Sequence, residues 1–455
     1  MPWKFHQLAM LKEVKACLKL AVPLAGAQLV QAATSFVDTM MMGWLGSQTI
    51  AAGGLGATSF AALLLSSSAM VSAVSPLSAQ AFGAGDAQAA GQAVRQGLWL
   101  ALLLSLPIML LLWHGGTVLQ HLGQSVETAT LAEQYLRAIA TGFFPGLGFA
   151  ALRSFVAALS RTRPIILVIA GGTLLNMIGN YVLMFGKLGF PALGLAGIGY
   201  ASSFSLWCML LTLGLYLLSQ PNLRQYQIFR RLYQFEGRMF WTLVKLGVPL
   251  GVLAVMETGL FTVTTYLMGQ LGTTALAAHQ IAIQVASLTF MVPLGISLAT
   301  TVRVGQLVGR KSLPQARMSG FVGIGLGGLA MLGLGLVIWV IPEPIVGIFL
   351  DLKSAENTDV IQLAVQLLKV AALFQLFDGI QVCAVGALHG IKDTVIPMVI
   401  GIVSYWGIGL TAGYWLGLRL GFGGVGLWCG LAIALCVAAL VLTWRFATAP
   451  LVKLA

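Results

Sequence analysis

The sequence predicts an all-α polytopic membrane protein. Its twelve transmembrane helices are expected in two six-helix bundles, related by a pseudo-two-fold axis along the membrane normal. Three observations predict this. The chain is 58% hydrophobic and only 8% charged, with a mean hydropathy of +0.92, whereas soluble domains carry about 25% charged residues. Its apolar runs are about 20 residues long, the length that crosses a bilayer as a helix, and lack the alternation of a membrane barrel. Landmarks of the first half also recur in the second at a nearly constant offset.

The spans read near 16–38, 49–75, 93–113, 131–157, 164–186, 195–218, 243–268, 276–300, 318–340, 360–388, 394–416 and 424–446. Lys4, Lys12, Lys15 and Lys19 precede a first apolar segment that is too long for a cleaved signal peptide and ends in Asp38, so it reads as a retained span. These spans leave Arg137, Lys187, Lys353, Lys369 and Arg419 on the far side or its membrane edge; the other 20 of the 25 basic residues share the side of the N-terminus. That asymmetry is the positive-inside pattern with both termini cytoplasmic. It also accounts for a net charge of +12 without nucleic acid as a partner. Cys17, Cys208, Cys383, Cys429 and Cys436 have no ligand-like spacing and read as packed thiols.

The repeat is specific. KLAVPLA at 19–25 matches KLGVPLG at 245–251, an offset of 226. At that offset Met42-Gly43, Leu45-Gly46, Gln80 and Gly83 fall on Met268-Gly269, Leu271-Gly272, Gln306 and Gly309. At an offset of 229, Ala158-Leu159, Gly194 and Gly197 fall on Ala387-Leu388, Gly423 and Gly426. An even number of spans per copy makes both copies enter from one side. The expected division is an N-terminal bundle at 1–218, a polar cytoplasmic linker at 219–242 and a C-terminal bundle at 243–455. The 55 glycines permit close helix packing. Pro23 and Pro249 hold matching places in the first helix of each half and are candidates for bending it.

Three carboxylates stand out. Asp38, Glu257 and Asp378 lie inside apolar stretches; Asp38 follows no charge since Lys19. On a helix Glu257 lies about 18 Å beyond Lys245 and Asp378 about 13 Å beyond Lys369. A charge near the bilayer centre costs roughly 2.5–3.5 kcal/mol on insertion scales, and intramembrane acids mark function by default. The repeat gives none of them an acidic counterpart: the matching positions are Thr264, Gln31 and Phe149. Asn176 and Asn180 share one face of the fifth span and offer amide oxygens to a hard cation such as Na⁺ beside Asp38; interhelical hydrogen bonding is the alternative. Ser202, in the sixth span, is a weaker addition. Asp38, Asn180, Glu257 and Asp378 are the Na⁺-ligand candidates.

Other signals carry less. Gly323, Gly325 and Gly328 spell GxGxxG, but no strand precedes them, so they read as a packing motif. His279 and His389 lack partners at metal spacing and read as packing or hydrogen-bonding residues. No HExxH or GxSxG pattern supports an intramembrane hydrolase, so the chain is not expected to be an enzyme, and no organic cofactor is implied.

FVDTMMMG (36–43), METG (256–259), ALAAHQIA (275–282) and FDGIQVCAVGALHGIKDT (377–394), set in two six-span repeats, resemble a MATE (multidrug and toxic compound extrusion) transporter of the NorM-like branch. The resemblance covers essentially the whole chain. It implies a monomer in a bacterial inner membrane that exports amphipathic, often cationic compounds by alternating access, driven by inward Na⁺ or H⁺. It matches Glu257 and Asp378 to a C-half cation site, and Asp38, Asn176 and Asn180 to an N-half site. Where the family often has a Tyr one turn before the tenth-span acid, this chain has Phe374. The alternative within transport is a lipid-linked precursor flippase of the same superfamily. That activity would want deep basic residues, whereas the deep charges here are acidic.

Overall fold

The computed structural model describes residues 2–450, and no described residue is in a strand. The first half holds α1 (Pro2–Gly43), α2 (Ser47–Val71), α3 (Val74–Gly83), α4 (Ala87–Trp113), α5 (Gly115–His121), α6 (Val126–Ala140), α7 (Phe143–Ala158), α8 (Arg163–Phe185), α9 (Gly194–Ser219) and α10 (Pro221–Arg224). The second holds α11 (Gly237–Gln270), α12 (Thr273–Gly309), α13 (Leu313–Val340), α14 (Pro342–Val346), α15 (Thr358–Gly390), α16 (Val395–Ile402), α17 (Thr411–Tyr414) and α18 (Gly423–Thr448). Among the described residues eleven spans are long and apolar enough to cross a membrane. The pair α6 and α7, bent by 46°, makes a twelfth if it is one span. Each span read from the sequence falls on one of these.

By its contacts the chain forms two compact units, residues 29–251 and residues 1–28 with 252–455. The changeovers therefore lie inside helices, shortly after Pro23 in α1 and Pro249 in α11, whereas the sequence repeat sets its halves at 1–218 and 243–455. Both helices run unbroken through their proline. Each proline removes the hydrogen bond that the carbonyl four residues earlier, at Lys19 or Lys245, would otherwise accept.

Within the unit 29–251, the α6–α7 break is stabilised from outside. Side chains of α9 reach the carbonyls at the break: Ser203 Oγ donates to Ala138 O at 2.9 Å and to Ile139 O, which also accepts from Gly142 N, at 3.2 Å, and Trp207 Nε1 donates to Thr141 O at 3.2 Å. Backbone groups in a bilayer must be satisfied within the protein, so a break survives only where such donors face it. The polar segment after α9 is strapped to one face of α4. Trp99 Nε1 donates to Leu232 O (2.9 Å), Gln96 Nε2 to Gln234 O (3.1 Å), Arg95 Nη1 to Tyr226 O (3.3 Å), and Gln92 Nε2 to Glu236 Oε1 (2.8 Å). The α8 end is capped by Gly186 at φ 67°; a Cβ there would lie 2.6 Å from Ala192 N, so glycine is required.

Within the other unit, α1 is clasped by a buried ion pair. Arg303 on α12 grips Glu13 in bidentate fashion at 2.8 and 2.7 Å, and Ser319 Oγ on α13 donates to the same carboxylate at 2.7 Å. A planar guanidinium against a carboxylate is the geometry that best offsets desolvation. α13 and α15 touch backbone to backbone, since a Cβ at Gly327 would come within 2.7 Å of Gly379 O. Two of the GxGxxG glycines pack as expected, Gly323 on Thr300 and Gly328 on Ile380, whereas Gly325 has no neighbour within 4 Å of an added Cβ. The span 395–419 is irregular, with π-helical stretches at Val403–Leu410 and Trp415–Arg419.

Candidate functional site

The three intramembrane acids fall at two places, one inside each unit. Among the described residues the ion pairs are Glu133–Arg137, Glu13–Arg303 and Asp393–Arg445, and none uses Asp38, Glu257 or Asp378. A tertiary salt bridge is therefore not how their charge is compensated.

In the unit 29–251, Asp38 on α1 meets the fully buried Asn180 on α8. Asn180 Nδ2 donates to Asp38 Oδ1 at 2.6 Å and to Asn176 Oδ1 at 3.3 Å, and Asn176 Nδ2 donates to Ser202 Oγ on α9 at 3.0 Å. The four residues form one hydrogen-bonded chain. A carboxylate only accepts, so it fixes the direction of the chain and turns the Asn180 amine toward it. That leaves Asn180 Oδ1 buried without a hydrogen-bond partner. One turn earlier, Thr34 on α1 shares a 2.7 Å hydrogen bond with Thr173 on α8, which pins the same two helices. Tyr135 on α6 is buried within range of the Asp38 charge. Carboxylate and amide oxygens suit a hard cation, and the unpaired Asn180 Oδ1 is the atom that such an ion would complete.

In the other unit, Asp378 on α15 and Glu257 on α11 lie near enough for their charges to interact. No described hydrogen-bond donor reaches either. Tyr405, buried in the π-helical stretch, is within range of both and accepts from Gln381 Nε2 at 2.7 Å. Trp406 Nε1 donates to Met256 O at 3.1 Å and its ring packs on Gly259, fixing the backbone around Glu257. Phe374 stacks on Trp428 with centroids 5.5 Å apart. Trp428 Nε1 donates to His279 Nδ1 at 3.1 Å, and His279 Nε2 bonds Thr265 Oγ1 at 2.8 Å. Since Nδ1 accepts, Nε2 carries the proton; His279 is a satisfied core residue. Thr264, the repeat counterpart of Asp38, bonds only its own helix at Leu260 O.

Sequence reasoning passed over Thr34, Thr173, Tyr135, Gln375, Gln381 and Tyr405. The glutamines had a legible signal, amides three residues either side of an intramembrane acid. The hydroxyls had none.

A duplicated helical membrane fold with acids inside its spans marks a class, the membrane transporters. Comparison with known proteins names the family. The MatE family model matches residues 23–182 and again 249–415, once in each repeat, and the chain belongs to that family. It is 46% identical over 440 residues to a protein of Synechocystis sp. named probable multidrug resistance protein NorM, covering 97% of this chain and 95% of that one. A Pseudomonas aeruginosa protein of the same name is 43% identical, covering 96% and 89%. Among solved structures, the eukaryotic MATE transporter AtDTX14 superposes with a TM-score of 0.85 at 20% identity, covering 98% of each chain. A MATE structure in complex with MaD3S gives 0.88 at 19%, covering 97% of each. The chain is a transporter and not an enzyme.

Proposed function

We propose that this chain is a multidrug efflux antiporter of a bacterial inner membrane. It exports amphipathic, often cationic compounds in exchange for inward Na⁺ or H⁺ by alternating access, as a monomer with both termini cytoplasmic. The observation that carries the reading is the state of the acids: three carboxylates inside the spans, none ion-paired among the described residues. Such groups take their compensation from a mobile ion or a cationic substrate. The names of the relatives support the drug side of the exchange. Asp38, Asn176, Asn180 and Ser202 form one coupling site in this reading, and Glu257 and Asp378 the other. An ion drives the cycle only by the difference in its affinity for the two states, and Pro23 and Pro249 are where the first and seventh helices would bend.

The test is efflux of a fluorescent cationic dye from everted vesicles under imposed Na⁺ or pH gradients. Transport should follow one of them and stop when it is collapsed; efflux indifferent to both would refute antiport.

A further inference from the structure

Two buried amides on the tenth span are left unused by the antiport reading. Gln375 and Gln381 stand three residues either side of Asp378 on α15, which puts the three side chains within an arc of about 120° and about 9 Å of helix. Gln375 is fully buried and Gln381 is 2% exposed. Each is held through its amine: Gln375 Nε2 donates to Thr289 Oγ1 at 2.9 Å, and Gln381 Nε2 to the Tyr405 hydroxyl at 2.7 Å. The anchoring leaves each carbonyl oxygen free, and in both residues that oxygen is buried without a hydrogen-bond partner.

Buried acceptors are normally paired, so two orphans flanking one acid on one helix face point to a shared partner. Tyr405 accepts from Gln381 and lies close enough to Asp378 and Glu257 for their charges to act on it. It sits in a π-helical stretch, a local distortion that recurs at functional sites. The repeat counterparts of the glutamines are Gly146 and Leu152, so the arrangement belongs to the second half alone. A proton on Asp378 would donate to one carbonyl and leave the other orphaned. A hard cation takes several oxygens at once.

We propose that Gln375 and Gln381 are the neutral ligands of the second site. Their carbonyls flank Asp378 and, with its carboxylate and that of Glu257, coordinate a dehydrated monovalent cation, so that this site selects Na⁺ over H⁺. The assignment rests on the antiport reading and adds to it the groups that choose the ion.

The test is ²²Na⁺ binding to the purified full chain at constant ionic strength, with thermal unfolding in Na⁺-free buffer as a control on folding. Gln375→Met and Gln381→Met should each weaken Na⁺ binding about 10- to 100-fold. Gln381→Glu, which keeps an oxygen in place and adds charge, should bind Na⁺ more tightly than wild type. Met variants that fold and bind Na⁺ as wild type overturn the proposal, as does a Gln381→Glu variant of unchanged affinity. Wild-type protein that binds no Na⁺ overturns it too. Efflux indifferent to both gradients, alongside Na⁺ binding that falls in the Met variants, would refute antiport and leave the ligands standing.

Discussion

Replacing Asn180 with leucine probes the first site at its most explicit contact. Leucine is close to the amide in size and suits an apolar helix, so the change removes polar groups with little repacking. Two hydrogen bonds are lost, one of 2.6 Å to Asp38 and one of 3.3 Å to Asn176, together with the unpaired Oδ1. A bond to a charged group contributes about 1.5–3 kcal/mol and a neutral one about 1; at 3.3 Å the second lies beyond the usual N–H···O range and counts for less. The Asp38 bond therefore dominates. That bond bears on stability, whereas the loss of Oδ1 as an oxygen ligand should raise the Na⁺ concentration for half-maximal efflux by about 10- to 100-fold.

The assay is dye efflux from everted vesicles, titrated separately with Na⁺ and with pH, at matched protein content in the membrane. Thermal unfolding of the purified chain supplies the cycle. Asp38→Leu and Asn180→Leu touch one interaction, so their effects on stability should fail to add by about 0.5–3 kcal/mol. An Asn180→Leu protein that inserts normally and keeps wild-type half-saturation would refute the reasoning, because Asn180 Oδ1 would then contribute nothing to ion binding.

Four further outcomes are expected. Asp38→Asn should abolish gradient-driven export while insertion is unchanged, as read by efflux and membrane content. Arg303→Met should lower stability by about 3–5 kcal/mol, since it strands Glu13 in the core, whereas Glu13→Met with Arg303→Met should recover most of that loss; thermal unfolding in detergent separates the two. Gly327→Val should cost about 1–3 kcal/mol, because the first added carbon would already run into Cys383 Sγ and come within 2.7 Å of Gly379 O. Arg95→Met should loosen the strap over α4 and speed tryptic cleavage at Arg230 and Arg231, with the spans left intact on a gel.

What could be read from the sequence follows from what each feature depends on. The twelve spans were legible because each is decided locally, by the length and composition of one apolar run. The break between α6 and α7 was not: it depends on Ser203 and Trp207, some 65 residues downstream, which donate to the carbonyls of Ala138, Ile139 and Thr141. The linker showed its polarity but not its strap, since α4 binds its backbone carbonyls, which no side-chain pattern records. Asn176 and Asn180 were legible as a helical pair, and the structure joins them to Asp38 and Ser202 in one chain. Tyr135 looked like any aromatic in an apolar helix. Gln375 and Gln381 were visible as a spacing, but their significance needed Thr289 and Tyr405, whose hydroxyls occupy the amines and leave the carbonyls over.

The duplication supplied two similar scaffolds, and the sites differ in what each scaffold gives its acid. Asp38 accepts a hydrogen from an amide of a neighbouring helix, so part of its charge is compensated by the protein before any ion arrives. Asp378 and Glu257 receive no such donor among the described residues, and the amides beside Asp378 turn their amines away, toward Thr289 and Tyr405. A buried charge without internal compensation must take it from outside. On the antiport reading, the second site therefore depends more completely on the arriving ion than the first. The difference in ion affinity between states that drives the cycle should be most sensitive to changes there. Asn180→Leu takes an oxygen from a site whose acid the protein already partly compensates; Gln381→Met takes one from a site whose acids have no such donor. Their effects on ion binding should then be nearly additive, as expected for sites with no shared partners.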